Sequence, residues 1–189
     1  KIKLDEQLLE ELFNNVFLQE LSLLKKKNVS LNKNLVQEMR LQAKEIIPHI
    51  MPALKKTFGK YEVYSAEEEI FEDIENHSKK YKGFIDLVLK TEDEKYHVID
   101  WKTCSWGWDA RRKNDKMTTY QLAYYKHFFS KKHNIPLNNI ETHFALLKRT
   151  AKKNRVEIFK VSCGDKKIKN SIKLLEKAVY NIENYNFVK

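Results

Sequence analysis

The sequence predicts an α/β fold, a central mixed β-sheet flanked by helices, with a helical segment at the N-terminal side. Three observations predict it. Apolar residues recur at helical spacing up to about residue 58, the period changes to two from Tyr61, and helical and strand periods then alternate to the end. No internal repeat and no linker-like stretch interrupts this order, which reads as one domain over 1–189. With 189 residues, 42% hydrophobic and 12% aromatic, the chain can bury one sizeable core.

Each element has its own signal. Leu8, Leu9, Leu12, Phe13, Val16 and Phe17 give residues 4–24 an apolar helical stripe, which Lys25-Lys26-Lys27-Asn28 breaks. A second helix is expected from about Leu31 to Phe58, kinked or broken by Pro48 and Pro52 and ended by Gly59. Strands are expected over 61–71, 81–90 and 95–103, with turns near 75–78 and 92–94. A polar, tryptophan-containing loop covers 104–116, a helix 117–133, strands 142–148 and 155–162, and a closing helix 168–185. This divides the domain into a helical part (1–59), a core (60–162) and a C-terminal helix (163–189).

Charge and cysteine content narrow the function. The net charge of +10 is concentrated: residues 101–170 hold 17 Lys/Arg against 5 Asp/Glu, which leaves −2 for the rest. A basic half suits an anionic polymer, because each cation placed on a phosphate releases a counterion. No apolar run reaches the roughly 18 residues that cross a bilayer, so no membrane partner is expected. Cys104 and Cys163 are too few for a disulfide framework, a four-thiolate zinc site or a four-cysteine iron–sulfur cluster, and an intracellular compartment is the expectation.

The chemistry concentrates in Gly83-Phe84-Ile85-Asp86 and Val98-Ile99-Asp100-Trp101-Lys102. Asp86 lies within an otherwise apolar strand, and Asp100 and Lys102 close the next one. Charges at such positions are costly unless paired or bound to metal. In a hairpin centred on Asp93, positions summing to 186 face each other, so Asp86 falls opposite Asp100, with Lys102 on the same face. Two opposed carboxylates repel, and a divalent cation held by oxygen ligands, Mg²⁺ or Mn²⁺, removes the repulsion.

Gly83-x-x-Asp86, Asp100-x-Lys102 and the helical Gln121-x-x-x-Tyr125 together resemble the PD-(D/E)xK nuclease superfamily, in particular its RecB-like and lambda-exonuclease-like branch. The resemblance covers roughly 60–162 and implies a restriction-endonuclease-like core and a metal-dependent DNA nuclease. It implies that Asp86, Asp100 and the backbone carbonyl of Trp101 bind Mg²⁺, with Mn²⁺ as substitute. Lys102 would polarise the attacking water, and Gln121 and Tyr125 would face the site. Related nucleases often add an acid from the preceding strand, here Glu67 or Glu69, and a His or Glu from the upstream helix, here His49 or Glu45.

The segment from Cys104 to Lys116 interleaves aromatics with cations, a composition suited to stacking on unpaired bases and contacting phosphates. Trp106, Trp108, Arg111, Arg112, Lys113 and Lys116 are its candidate nucleic-acid contacts, and one tryptophan, Trp106, is expected to plug the core instead. The sequence departs from the family where Ile85 replaces the Pro before the first Asp, and the lack of a cysteine quartet excludes the iron–sulfur subgroup. The activity implied is an exonuclease on DNA ends or single strands in recombination, repair or phage DNA processing, in the cytoplasm of a bacterium or a phage-infected cell, with any helicase or recombination protein as a separate partner. The alternatives are a structure-specific or restriction-like endonuclease and a non-catalytic nucleic-acid-binding module on a degenerate nuclease fold.

Overall fold

A computed structural model describes residues 6–186. Residues 4 and 5 of the first expected helix lie outside this range. The elements follow the expected order: α1 (Glu6–Lys26), α2 (Lys33–Ile46), a 3₁₀ turn (Ile47–His49), α3 (Ile50–Phe58), β1 (Tyr61–Asp73), β2 (Lys80–Thr91), β3 (Tyr96–Cys104), α4 (Ala110–Lys113), α5 (Lys116–His133), a second 3₁₀ turn (Leu137–Asn139), β4 (Ile140–Lys148), β5 (Val156–Lys160) and α6 (Asp165–Glu183). Pro48 breaks the long second helix through the 3₁₀ turn, as its missing N–H requires. The loop after β3 contains a short helix, α4, because Asp109 accepts a 2.7 Å hydrogen bond from the Arg112 N–H and so caps a turn.

The chain forms two compact units. The first holds residues 1–57, 103–107 and 146–157, and the second the remainder. Within the first, α2 begins at Asn32, whose side chain accepts from the N–H groups of Asn34 and Leu35, and Lys44 pairs with Glu10 at 2.9 Å. The ends of β3 and β4 are also here. The Arg149 N–H donates to the Cys104 carbonyl and the Thr150 N–H to the Ser105 carbonyl. Both partners advance together, which makes this pairing parallel.

The second unit carries the site. Its strands belong to a mixed five-stranded sheet in the order β1-β2-β3-β4-β5. β1, β2 and β3 form an antiparallel meander. α5 makes the crossover that parallel β3 and β4 need, and the Val161 N–H bonds the Thr142 carbonyl where the chain returns antiparallel to β4. Ile70, Ile85, Val88, Leu89, Val98 and Ile99 are fully buried in the sheet, as are Leu122 and Phe129 on α5. Each contributes about 1.5–3 kcal/mol relative to exposure. Asp115 caps the start of α5 through the Thr118 N–H at 2.7 Å, and Asn134, in the left-handed region at φ 54°, ends it. Among the described residues no helix is long and apolar enough to cross a membrane.

Candidate active site

The β2–β3 hairpin has the register that places the two aspartates together. Its ladder pairs Lys90 with Tyr96, Leu89 with His97, Val88 with Val98 and Leu87 with Ile99, all summing to 186. One step beyond Leu87, the Trp101 N–H donates to Asp86 Oδ2 at 2.7 Å. A side chain thus takes the place of a ladder carbonyl, which holds the Asp86 carboxylate against the end of β3.

Asp100 is only 2% exposed, and Lys102 Nζ lies 2.7 Å from its Oδ2. Burial pushes the Asp100 pKa up, the Lys102 ammonium counters part of that rise, and the neighbouring Asp86 adds to it. The ion pair is close but poorly directed: Asp100 Oδ2 has no aligned hydrogen-bond donor. Two neighbouring carboxylates, one of them buried, carry more negative charge than the single Lys102 ammonium offsets, a setting that suits a hard divalent cation.

α5 supplies the wall of the site. Gln121 Nε2 donates to Tyr125 Oη at 2.9 Å, so the two residues one turn apart act as a unit. Burial raises the Tyr125 pKa, the Gln121 bond opposes the rise, and the charges of Asp100, Asp86 and Glu67 reinforce it. Those three carboxylates therefore lie within electrostatic reach of one phenol. Tyr81, which the sequence reading did not single out, belongs to the same wall: it stacks on Phe128 at 4.2 Å, and burial together with Tyr125, Tyr124 and Asp100 raises its pKa. Its only sequence signal was an aromatic on the Gly83 side of an alternating strand.

The three consecutive glutamates separate. Glu69 pairs with Lys82 at 2.8 Å. Glu68 is the buried one, held by Ser65, by Lys132 at 2.9 Å and by His133. Glu67, between Ala66 and Glu68, which face Leu87 and Ile85, takes a left-handed φ of 49° within β1. A non-glycine residue at positive φ inside a strand is held there by its surroundings. In the first unit, Glu45 pairs with Arg155 at 2.6 Å, and His49 is exposed on the 3₁₀ turn.

The tryptophans reverse their expected roles. Trp108, 7% exposed, packs edge-on against Phe144 at 5.1 Å, and the Arg112 guanidinium covers it at 4.7 Å. Trp106 is 71% exposed. Trp108, not Trp106, plugs the core, where it meets Phe144 and Phe159. Arg111 and Lys116 are exposed, while Lys113 Nζ lies 4.8 Å from the Phe159 ring.

No curated protein matches the chain in sequence. Among solved structures, the chain is similar to a crystal structure called "Putative exonuclease" from Eubacterium rectale, with a TM-score of 0.54 and 14% identity over 100% of this chain and 71% of that one. It also matches the crystal structure of SSO0001, at a TM-score of 0.45 and 17% identity over 86% of this chain and 67% of that one. At such identity the first likeness supports the fold alone. The family profile described as the PD-(D/E)XK nuclease superfamily matches residues 2–186, and together with the hairpin that carries Asp86, Asp100 and Lys102 this places the chain in that superfamily.

Proposed function

We propose that the protein is a Mg²⁺-dependent DNA nuclease of the RecB-like, lambda-exonuclease-like branch, acting as an exonuclease on DNA ends or single-stranded regions. Nucleases of this superfamily use divalent metal ions on a nucleic-acid substrate. The observation that carries the reading is the buried Asp100 carboxylate, met by the Lys102 ammonium at 2.7 Å and raised in pKa by burial and by the neighbouring Asp86. Asp86, Asp100 and the Trp101 carbonyl would hold the metal, with Glu67 as the third acid from β1 in preference to Glu69, which Lys82 engages. When bound, Mg²⁺ supplies Lewis-acid polarisation of the scissile phosphate and acidifies water.

The chain's own groups do the rest. Lys102 orients the attacking water and balances the negative charge that develops on the phosphorane oxygens. The Gln121–Tyr125 pair fixes one wall and presents an amide and a phenol to the phosphate or to metal-bound water. Trp106 stacks on an unpaired base, while Arg111, Arg112, Lys113 and Lys116 contact phosphates. The substrate arises in recombination, repair or phage DNA processing inside the cell, where a separate helicase or recombination protein opens the duplex.

The test is cleavage of end-labelled single-stranded, blunt linear and covalently closed circular DNA, with Mg²⁺ and with EDTA. Degradation of linear DNA only, abolished by EDTA, supports the exonuclease. Cleavage of closed circles points instead to an endonuclease, and undiminished cleavage after exhaustive chelation overturns the metal mechanism.

A further inference from the structure

Three residues along β3 from Asp100, period two turns His97 to the other face of the sheet. There it meets two residues of β4, Glu141 and His143. His97 Nδ1 lies 3.2 Å from His143 Nε2, and Glu141 Oε2 lies 3.8 Å from the former and 3.9 Å from the latter. A triangle with sides of 3.2, 3.8 and 3.9 Å has a circumradius of about 2.1 Å. A single point is thus equidistant from all three atoms at the usual Zn–N and Zn–O bond length.

The surroundings support a ligand set over a chance cluster. Both rings are buried, His97 at 7% and His143 at 4% exposure, and Phe58 packs on them with centroids 4.8 and 5.0 Å away. Glu141 Oε1 is occupied by Lys160 at 2.7 Å and Lys95 at 3.4 Å, which leaves Oε2 for the imidazoles. Thr91 Oγ1 sits 3.1 Å from His97 Nε2, the kind of outer partner that fixes which nitrogen of a ligating histidine keeps its proton.

We propose that His97 Nδ1, His143 Nε2 and Glu141 Oε2 form a transition-metal site, filled by Zn²⁺, that ties β3 to β4 on the sheet face opposite Asp100 and Lys102. Two imidazoles and one carboxylate select zinc or cobalt over Mg²⁺ or Ca²⁺, which prefer oxygen alone. Phe58 packs over both imidazoles, and the site lies on the sheet face opposite Asp100 and Lys102. The inference does not rest on nuclease activity.

The experiment uses the full chain carrying Asp86→Asn and Asp100→Asn, which removes the carboxylate site. After chelation it is titrated with Co²⁺, read by visible ligand-field absorption, and Zn²⁺ is then added as competitor. One Co²⁺ per chain, displaced by one Zn²⁺ and unaffected by millimolar Mg²⁺, is expected, along with a higher Tm in Zn²⁺. Adding Glu141→Gln or His143→Ala should abolish the band. Should His143→Ala fail to fold, side-chain NMR of the parent variant decides: Zn²⁺ should move the signals of His97 and His143 alone among six histidines. No cobalt uptake, uptake unchanged in Glu141→Gln, or a response at other histidines overturns the site and leaves a hydrogen-bonded histidine pair in the core. Mg²⁺-dependent cleavage by the unmutated chain is assayed separately, so failure of either reading is visible by itself.

Discussion

A Cβ on Gly83 would lie 3.1 Å from Tyr125 Cε1, and 2.9 Å from the Tyr81 hydroxyl. The glycine of the Gly-x-x-Asp strand is there for space: its backbone is not left-handed, but two aromatic rings of the site wall close over it. Gly83→Ala should therefore overpack the wall, lowering stability by about 1–3 kcal/mol and moving Tyr125 off Gln121. A thermal melt with a cleavage assay checks this; an unchanged Tm with full activity would mean that the rings move aside freely.

Asp100→Asn and Lys102→Ala should look alike in activity and opposite in metal titration. The Asp100 pKa is raised in the folded chain, so its ionised form weakens the apo fold once pH climbs past the ordinary carboxylate range. Asp100→Asn should then leave apo stability equal or higher at pH 7 while metal affinity collapses. Lys102→Ala removes a cation beside the metal and should keep or raise Mn²⁺ affinity, yet cleavage should fall by about 10²–10³-fold. Calorimetry with Mn²⁺ on both folded variants is the measurement, and loss of metal binding in Lys102→Ala would make Lys102 structural.

Glu68 should govern acid stability. Burial raises its pKa, but hydrogen bonds from Ser65, Lys132 and His133 outweigh burial and leave it below the ordinary value. The stabilisation is thus present above the unfolded-state pKa of about 4.3 and is lost as pH falls through the depressed folded value. Tm should drop on acidification below about pH 5, and Glu68→Gln should flatten that drop while costing about 1–3 kcal/mol at neutral pH. Melts of both proteins from pH 7 to 3 test this, and parallel curves would remove Glu68 from the account.

The two tryptophans should separate stability from binding. Trp108→Ala empties a core position and should cost about 3–5 kcal/mol. Trp106→Ala should leave Tm nearly unchanged and weaken single-stranded DNA by about 1–3 kcal/mol. Replacing Arg111, Arg112 and Lys113 together should flatten the salt dependence of binding without changing metal affinity. Binding titrations at several salt concentrations decide; wild-type affinity in both variants would leave the segment without a nucleic-acid role.

The order of elements was legible because periodicity changes sharply at Tyr61 and because Gly59 and Pro48 punctuate helices. The hairpin register was legible for a related reason: a turn fixes it, and counting from Asp93 gives the sum of 186 that the ladder from Lys90–Tyr96 to Leu87–Ile99 keeps. What sequence could not assign depended on contacts between distant segments. Trp106 and Trp108 have similar composition around them, and the inward ring is the one that meets Phe144 and Phe159, more than 30 residues away. Glu68 escaped notice because two of its three partners, Lys132 and His133, lie 64 and 65 residues away on α5. His97 lies on β3 and Glu141 and His143 on β4, and no local count brings β3 beside β4.

Every side chain proposed for catalysis lies between Glu67 and Tyr125, yet β3, which carries Asp100 and Lys102, is the middle strand of the sheet. A fragment ending at His133 would retain all of the chemistry and leave β3 without its neighbour. The backbone edge beside Val98 and Ile99, both fully buried in the intact chain, would then be open to pairing with another molecule. During synthesis the nascent chain passes through that state, with the catalytic residues already made and a sticky edge exposed until β4 emerges. The last third of the sequence, which holds none of the proposed catalytic residues, supplies the strand that covers this edge of β3.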